Sequence, residues 1–447
     1  MNKKKIIIIG AGPGGLAAAM LLSSRGFDVE VFEKDDAVGG RNKLLRVGEY
    51  SFDTGPTFLL MKFYLDKIFE LSGKNVDDYL EFERLDPMYR LIFKDREVLI
   101  SSDPEKTKKE LEAKFPDKKA DLDKFFRVEA KRFWRLYPCL QKDYGSLWRY
   151  LHPDFIKALP HLSLNRNIWQ VLSDYFDSDE MKLSFTFQSK YLGMSAWECP
   201  GAFSIIPFAE HKFGIYHVMG GLNKISDAMA RAASELGVKI NLNTPVESLE
   251  VEEGGVKGVK LAGGEAVRAD AVVVNPDFAY AMTNLVPDRL LKKYSHTNLK
   301  KKRYSCSTFM LYLGIDKVYD IPHHNIYFAR DYKKNISEIF KEGKLSEDLS
   351  FYVQNAAPTD RSLAPSGHST IYVLVPVPNK SLFNDWQKEK MLFRDRVLEH
   401  LEERAGLSDL GRHIREERII SPEEWEKEYN IFYGATFNLS HNLSQML

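Results

Sequence analysis

Four consecutive isoleucines, Ile6-Ile7-Ile8-Ile9, run directly into Gly10-Ala11-Gly12-Pro13-Gly14-Gly15. An unbroken β-branched run reads as a strand buried on both faces. Residues 16–24 are rich in Ala and Leu and read as a helix. A second strand, Asp28–Phe32, ends at Glu33. Strand, glycine turn, helix, strand and acidic residue in this order describe a dinucleotide-binding βαβ unit.

Each residue type has a physical job there. Gly10 permits the tight turn, and Gly12 lets a pyrophosphate approach the backbone. Gly15 lets the helix lie close on the strands. Pro13 and Gly14 complete the loop. The phosphates would sit where free N–H groups and the helix dipole favour negative charge. Glu33, 18 residues beyond Gly15, suits the carboxylate that holds a ribose hydroxyl.

Further on come Gly39-Gly40-Arg41 and Phe52-Asp53-Thr54-Gly55-Pro56-Thr57-Phe58. These stretches resemble the large flavoprotein group that includes amine oxidases and carotenoid desaturases. The second is similar to the bacterial phytoene and dehydrosqualene desaturases. The resemblance implies an extended FAD along Gly39, Gly40, Arg41, Gly55 and Pro56. It also implies that Gly220-Gly221, just before a helix, lies close to the flavin, and that Val246 meets the adenine through its backbone. Many desaturases carry a proline where this chain has Val218.

The fold so implied is α/β: a Rossmann-type FAD-binding domain, discontinuous in sequence, with an inserted α+β substrate domain, in an amine-oxidase-like architecture. The expected division gives residues 1–80 and 214–290 to the FAD domain. Residues 81–213 and 291–425 go to the substrate domain. Residues 426–447 return to the FAD domain.

The chain has 447 residues, 44% of them hydrophobic, enough for two or three domains. Lys+Arg and Asp+Glu are both 63, which gives no argument for nucleic acid. Cys139, Cys199 and Cys306 are widely spaced and odd in number, suiting a reducing cytoplasm; no metal-ligand spacing is present. The basic Met1–Lys5 stretch is followed by glycines and Pro13, so it does not read as a signal peptide. No run of 18 apolar residues occurs, so no membrane span is expected.

Residues 58–72 have helical spacing. Tyr89–Ile92 and Glu97–Ile100 alternate as a hairpin. Asp103 and Pro104 read as a helix start. In residues 121–140, Phe126, Ala130, Phe133, Tyr137 and Leu140 form one apolar face. Lys124, Arg127, Lys131, Arg132 and Arg135 occupy the other. Tyr144, Leu147, Trp148, Leu151 and Phe155 follow, with Arg149 and Lys157. Basic and aromatic residues interleaved on amphipathic helices suit an anionic membrane surface, or a helical cap with a solvated basic face. The Lys300-Lys301-Lys302-Arg303 cluster reads as a solvated loop that could assist docking. Helices are further expected over residues 222–236 and 387–401. Strands are expected over residues 238–242, 308–314, 325–328, 351–354 and 370–377.

Residues 433–442 again resemble carotenoid desaturases. In that family a final strand and a glycine-rich turn follow and hold the flavin's ribityl and pyrophosphate, and a last helix comes after them. The sequence ends at Leu447, so the flavin end is expected to be poorly held, and activity of this chain alone is in question.

The family's chemistry would be FAD-dependent desaturation of a long isoprenoid such as phytoene or dehydrosqualene. Hydride passes from an allylic carbon to the flavin, and a proton is lost from its neighbour. Oxygen or a quinone would be the electron acceptor. The protein would sit in the cytoplasm, peripheral on the inner face of the membrane that carries the substrate. An aromatic content of 12% suits an apolar tunnel, with Phe185, Phe187, Tyr191, Trp197, Phe203 and Phe208 as candidate lining. No nucleophilic triad is evident. Glu210, His211 and His217 are candidates to receive the proton. A carotenoid isomerase or oxygenase, an amine oxidase and a non-catalytic binding subunit remain alternatives.

Overall fold

A computed structural model describes residues 3–442 and 445, apart from 117 and 253. Strand β1 (Lys5–Ile9) is followed by helix α1 (Pro13–Ser23) and strand β2 (Asp28–Phe32). β1 pairs in parallel with β2 on one side and with Ala271–Val274 on the other. Lys239–Asn241 adds to the far side of β2, also in parallel. Side chains alternate across a strand, so the isoleucines feed two cores. Ile8 packs with Leu16 and Met20 of α1 and with Ala228 and Ala232 of helix Lys224–Glu235. Ile7 and Ile9 pack with Leu249 and Val259 from a small antiparallel sheet on the opposite face.

A second, seven-stranded sheet draws on distant parts of the chain. Its order is Ile414–Ile420, Ser307–Ile315, Ser369–Val377, Phe351–Asn355, His324–Tyr327, Tyr89–Ile92 and Glu97–Ile100. The one parallel pairing among these is His324–Tyr327 with Tyr89–Ile92. All nine residues of Ser307–Ile315 are buried. Phe309, Leu311 and Leu313 face helix Trp386–Arg404, meeting Trp386, Phe393 and Val397. Met310 and Tyr312 face the other way, toward Tyr50 and Phe52.

Several expected elements differ in detail. The helix expected over residues 58–72 starts at Lys62, because Leu59 and Leu60 pair with Tyr216 and Ile215 instead. The stretch around residues 144–158 is not one amphipathic helix. It is a 3-10 turn, Leu147–Leu151, and a short helix, Pro153–Ala158. In helix Leu122–Leu136, Arg132 is buried rather than solvated. Its Nε lies 2.9 Å from Oε2 of Glu129, a fully buried carboxylate. A charge leaves water in this way only when another charge compensates it.

Candidate functional site

A cavity of about 730 Å³ runs from the glycine loop to the inner face of the seven-stranded sheet. One end is polar. Gly10, Gly12, Pro13, Gly14, Glu33, Gly39, Gly40, Arg41 and Val246 line it there, and Gly55 and Pro56 line it further along. Gly15, Gly220 and Gly221 do not line it.

The non-lining glycines have packing roles. A Cβ on Gly15 would collide with the Gly10 carbonyl oxygen and come 3.0 Å from Nδ2 of Asn275. Only glycine lets α1 approach the turn so closely. Gly221 has φ +98, and a Cβ there would lie 2.9 Å from Oδ1 of Asp53. The buried Asp53 carboxylate accepts the N–H groups of Leu222 and Asn223 at 2.9 and 2.8 Å. It thereby ties the Asp-Thr-Gly-Pro stretch to the start of helix Lys224–Glu235.

Glu33 lines the polar end of the cavity. Its Oε2 accepts the Ala11 N–H at 2.7 Å and its Oε1 the Asp35 N–H at 3.0 Å. Each carboxylate oxygen can accept a further bond, so both retain capacity for sugar hydroxyls. Arg41 donates from Nη1 to the Thr436 carbonyl at 2.7 Å. Burial lowers the Arg41 pKa, and Asp277 opposes that shift.

The other end is apolar and aromatic. Of the six aromatic residues expected to line a tunnel, Phe187 and Tyr191 do so. Phe185 instead stacks on Phe176 and His211 in the helical core, and Phe208 packs against Phe133 there. Trp197 packs on Trp169 and Tyr332, and Phe203 lies against the same core. Alternation and composition do not say which face of a buried helix meets a void.

The three candidate proton acceptors also lie off the cavity. Glu210 is buried behind Tyr89, which donates to it at 3.0 Å, and burial pushes its carboxyl up to about 7. His211 bonds the Pro207 carbonyl through Nδ1, and burial pushes it down to about 4. His217 pairs with Asp360 at 3.0 Å.

Polar groups that the sequence reading missed do line the apolar end. Thr57 Oγ1 lies 2.7 Å from the Tyr352 hydroxyl, which lies 2.7 Å from Nδ1 of His324. Lys190 also lines the cavity, with Nζ donating to Ser350 Oγ at 2.7 Å and lying 4.8 Å from the Tyr332 ring. Burial pushes its ammonium down to about 7. The adjacent pair His323-His324, at the start of the strand His324–Tyr327, was the available signal. Asn275 was a second omission: its Nδ2 donates to the Gly10 carbonyl at 3.3 Å and braces the glycine loop.

Residues 13–445 match the family described as flavin containing amine oxidoreductase. The chain is 53% identical over 446 residues to the 4,4'-diapophytoene desaturase (4,4'-diapolycopene-forming) of Methylomonas sp, covering 100% of this chain and 87% of that one. This protein belongs to the carotenoid desaturase family of flavoenzymes. This desaturase-family chain is also 39% identical over 458 residues to the all-trans-zeta-carotene desaturase of Myxococcus xanthus, covering 99% and 85% of the two chains. A putrescine oxidase variant shares its fold, with TM-score 0.60 at 16% identity over 99% of this chain and 89% of that one. The expected α/β, amine-oxidase-like flavoprotein architecture is therefore the observed one, and the chain is a flavin-dependent oxidoreductase.

The residues present fit such a cofactor. The cradle admits no side chain at Gly15, a free-accepting carboxylate stands at Glu33, and an elongated void continues from them.

Proposed function

We propose that this protein binds FAD and desaturates a long acyclic isoprenoid hydrocarbon of the 4,4'-diapophytoene (dehydrosqualene) or phytoene type. The carrying observation is that the nucleotide loop and an aromatic, apolar wall open into one cavity. Gly10, Gly12, Pro13 and Gly14 would cradle the pyrophosphate, Glu33 the ribose, and Val246 the adenine. Gly39, Gly40, Arg41, Gly55 and Pro56 would flank the flavin. Gly15, Gly220 and Gly221 would shape the turns around it.

Bound flavin supplies the hydride acceptor. The chain supplies the rest. Phe58, Phe187, Tyr191 and Leu374 line the cavity and would offer a hydrocarbon an apolar surface that keeps water from it. We assign residues 1–80, 214–290 and 426–447 to the cofactor domain, and 81–213 and 291–425 to the substrate domain.

The substrate lives in lipid, where each CH₂ is favoured by ~0.8 kcal/mol. We infer that residues 134–164 collect it from a membrane surface. Trp134, Leu140, Trp148, Leu151 and Ile156 are all exposed, with Trp148 at 81%. Exposed Lys131, Arg135, Lys142, Arg149 and Lys157 are interleaved with them. A group of large exposed apolar side chains rimmed by charged ones marks an interaction surface. No helix among the described residues is long and apolar enough to cross a membrane, so contact at the surface is the matching mode. The inner face of the cell membrane is the proposed place, with oxygen or a quinone reoxidising the cofactor.

The test is to express the chain in cells that make dehydrosqualene or phytoene and to extract pigments. Conjugated, coloured product supports the reading. Unchanged colourless substrate, from protein that carries flavin, overturns it.

A further inference from the structure

We propose that Lys190 and Ser350 anchor a second class of ligand, a long-chain carboxylic acid, whose carboxylate meets the Lys190 ammonium while its chain lies along the apolar end of the cavity. The inference does not depend on the reaction proposed above.

Among the described residues, Lys190 is the one charged side chain that lines the cavity from the substrate domain. The other charged lining residues, Glu33, Lys34, Asp35, Arg41 and Asp277, lie in segments assigned to the cofactor domain. Residues 183–189 are all buried, whereas Lys190 is half-buried and keeps accessible surface. That surface is not open to bulk water. Burial pulls the ammonium down to about 7, which a side chain reaching open solvent would not show. The accessible surface therefore belongs to the cavity that Lys190, Ser350 and Cys306 line together.

The amine has a donor to spare. Its Nζ donates to Ser350 Oγ at 2.7 Å, and Ser350 in turn donates to the Tyr327 carbonyl at 3.0 Å. The serine is thereby fixed as an acceptor toward the amine. The Tyr332 ring covers another side of Nζ, 4.8 Å away. An ammonium carries three donors, so one remains without an acceptor. No carboxylate among the described residues pairs with Lys190. The Cys306 thiol is pushed up to about 12 by burial and stays neutral, as does the Tyr332 phenol.

A cation withdrawn from water calls for a compensating charge. A hydrocarbon offers none, and an apolar side chain at this position would suit a hydrocarbon better. A carboxylate supplies the charge and takes the remaining donor. The chain behind it then has an apolar path. Phe187 and Tyr191 lie on the same turn as Lys190, and Met310, Leu374 and Pro376 line the cavity from the sheet. Binding is an ion pair with no covalent step. Because it uses the same wall, the acid competes with a hydrocarbon for the space.

The test titrates the protein as purified with cis-parinaric acid, a fluorescent polyenoic acid, and with its methyl ester. Near pH 6.5 the acid should bind ~10- to 100-fold more tightly than the ester. Between about pH 7.5 and 9 the free amine is neutral, so binding the anion takes up a proton. Affinity for the acid should then fall by about 10-fold per pH unit while that for the ester stays level. Lys190→Met should bind acid and ester alike. Palmitic acid or retinoic acid should displace the probe from wild type, the stronger competitor naming an acyl or an isoprenoid chain. Equal wild-type affinity for acid and ester, a flat pH profile, or displacement by neither acid overturns the proposal. So does full acid binding by Lys190→Met, which would seat the acid elsewhere, as on the basic segment 134–164. The wild-type comparison of acid, ester and pH is decisive even without the variant.

Discussion

Glu33 and Ala11 are joined by a 2.7 Å hydrogen bond from the Ala11 N–H to Oε2 of the carboxylate. The acidic residue that closes β2 is thus fastened to the turn that follows β1. The loop holds the carboxylate's position before any ligand arrives, so little ordering remains to be done on binding. Glu33→Gln keeps the shape but exchanges one acceptor oxygen for a donor and removes the charge. A hydrogen bond to a charged group contributes roughly 1.5–3 kcal/mol. FAD affinity, measured by fluorescence titration of deflavinated protein, should fall by about 10- to 100-fold. Unchanged affinity would mean that Glu33 is a loop brace alone.

Asp53 accepts three bonds in a buried setting, two from the N–H groups of Leu222 and Asn223 and one from Nδ2 of Asn223 at 2.8 Å. Asp53→Ala removes the acceptor and leaves buried donors without partners, each costing about 1–3 kcal/mol. Urea unfolding should show a loss of ~3 kcal/mol or more. Asp53→Asn retains an oxygen toward the backbone and should lose less. Equal losses would show that charge, rather than acceptor geometry, matters at this turn.

The βαβ unit was legible because every local signal agreed. The isoleucine run, the glycines at fixed offsets and Glu33 each demand the same geometry. Strands such as Tyr89–Ile92 and Glu97–Ile100 were readable from alternation alone. The polyene end was not. Phe185 and Phe187 stand two residues apart in similar company, yet only Phe187 reaches the void. That outcome depends on how a 3-10 turn, Phe187–Leu192, is laid against the seven-stranded sheet, a tertiary fact without a sequence period. His324, Tyr352 and Thr57 come from segments far apart in the chain. Arg132 was misplaced for a related reason: helical periodicity assigns charge to the outer face, while a buried partner such as Glu129 reverses the assignment.

Lys190 makes stability depend on pH in a definite direction. Its folded value is lowered to about 7, against about 10.4 in an unfolded chain. Between these values the unfolded state binds more protons, so this residue's contribution to stability rises with pH. Below about 7 the folded state bears the cost of a half-buried ammonium whose partners are a hydroxyl and a ring. Lys190→Met, similar in length and apolar, should be more stable than wild type at pH 6.5. The difference should shrink as pH approaches 10. Parallel denaturation curves at each pH would reveal it, and a constant offset would place the ammonium in contact with solvent.

Trp148 and Leu151 stand 81% and 61% exposed in a segment whose neighbours include Arg149 and Lys142. Neither contributes to a core, so replacing them leaves the fold intact. What they offer is apolar area for an interface, while each adjacent cation adds about 1 kcal/mol toward an anionic leaflet. The double substitution Trp148→Ser with Leu151→Ser should leave the melting temperature within a degree or two of wild type. Cosedimentation with vesicles containing anionic phospholipid should fall by roughly 10-fold or more, since burying each large apolar side chain contributes ~1.5–3 kcal/mol. Salt should weaken the cationic share and leave the apolar share. Turnover of substrate presented in vesicles should then fall with the binding, while turnover of detergent-dispersed substrate stays near wild type. A variant that binds vesicles as before would move the docking face away from residues 134–164.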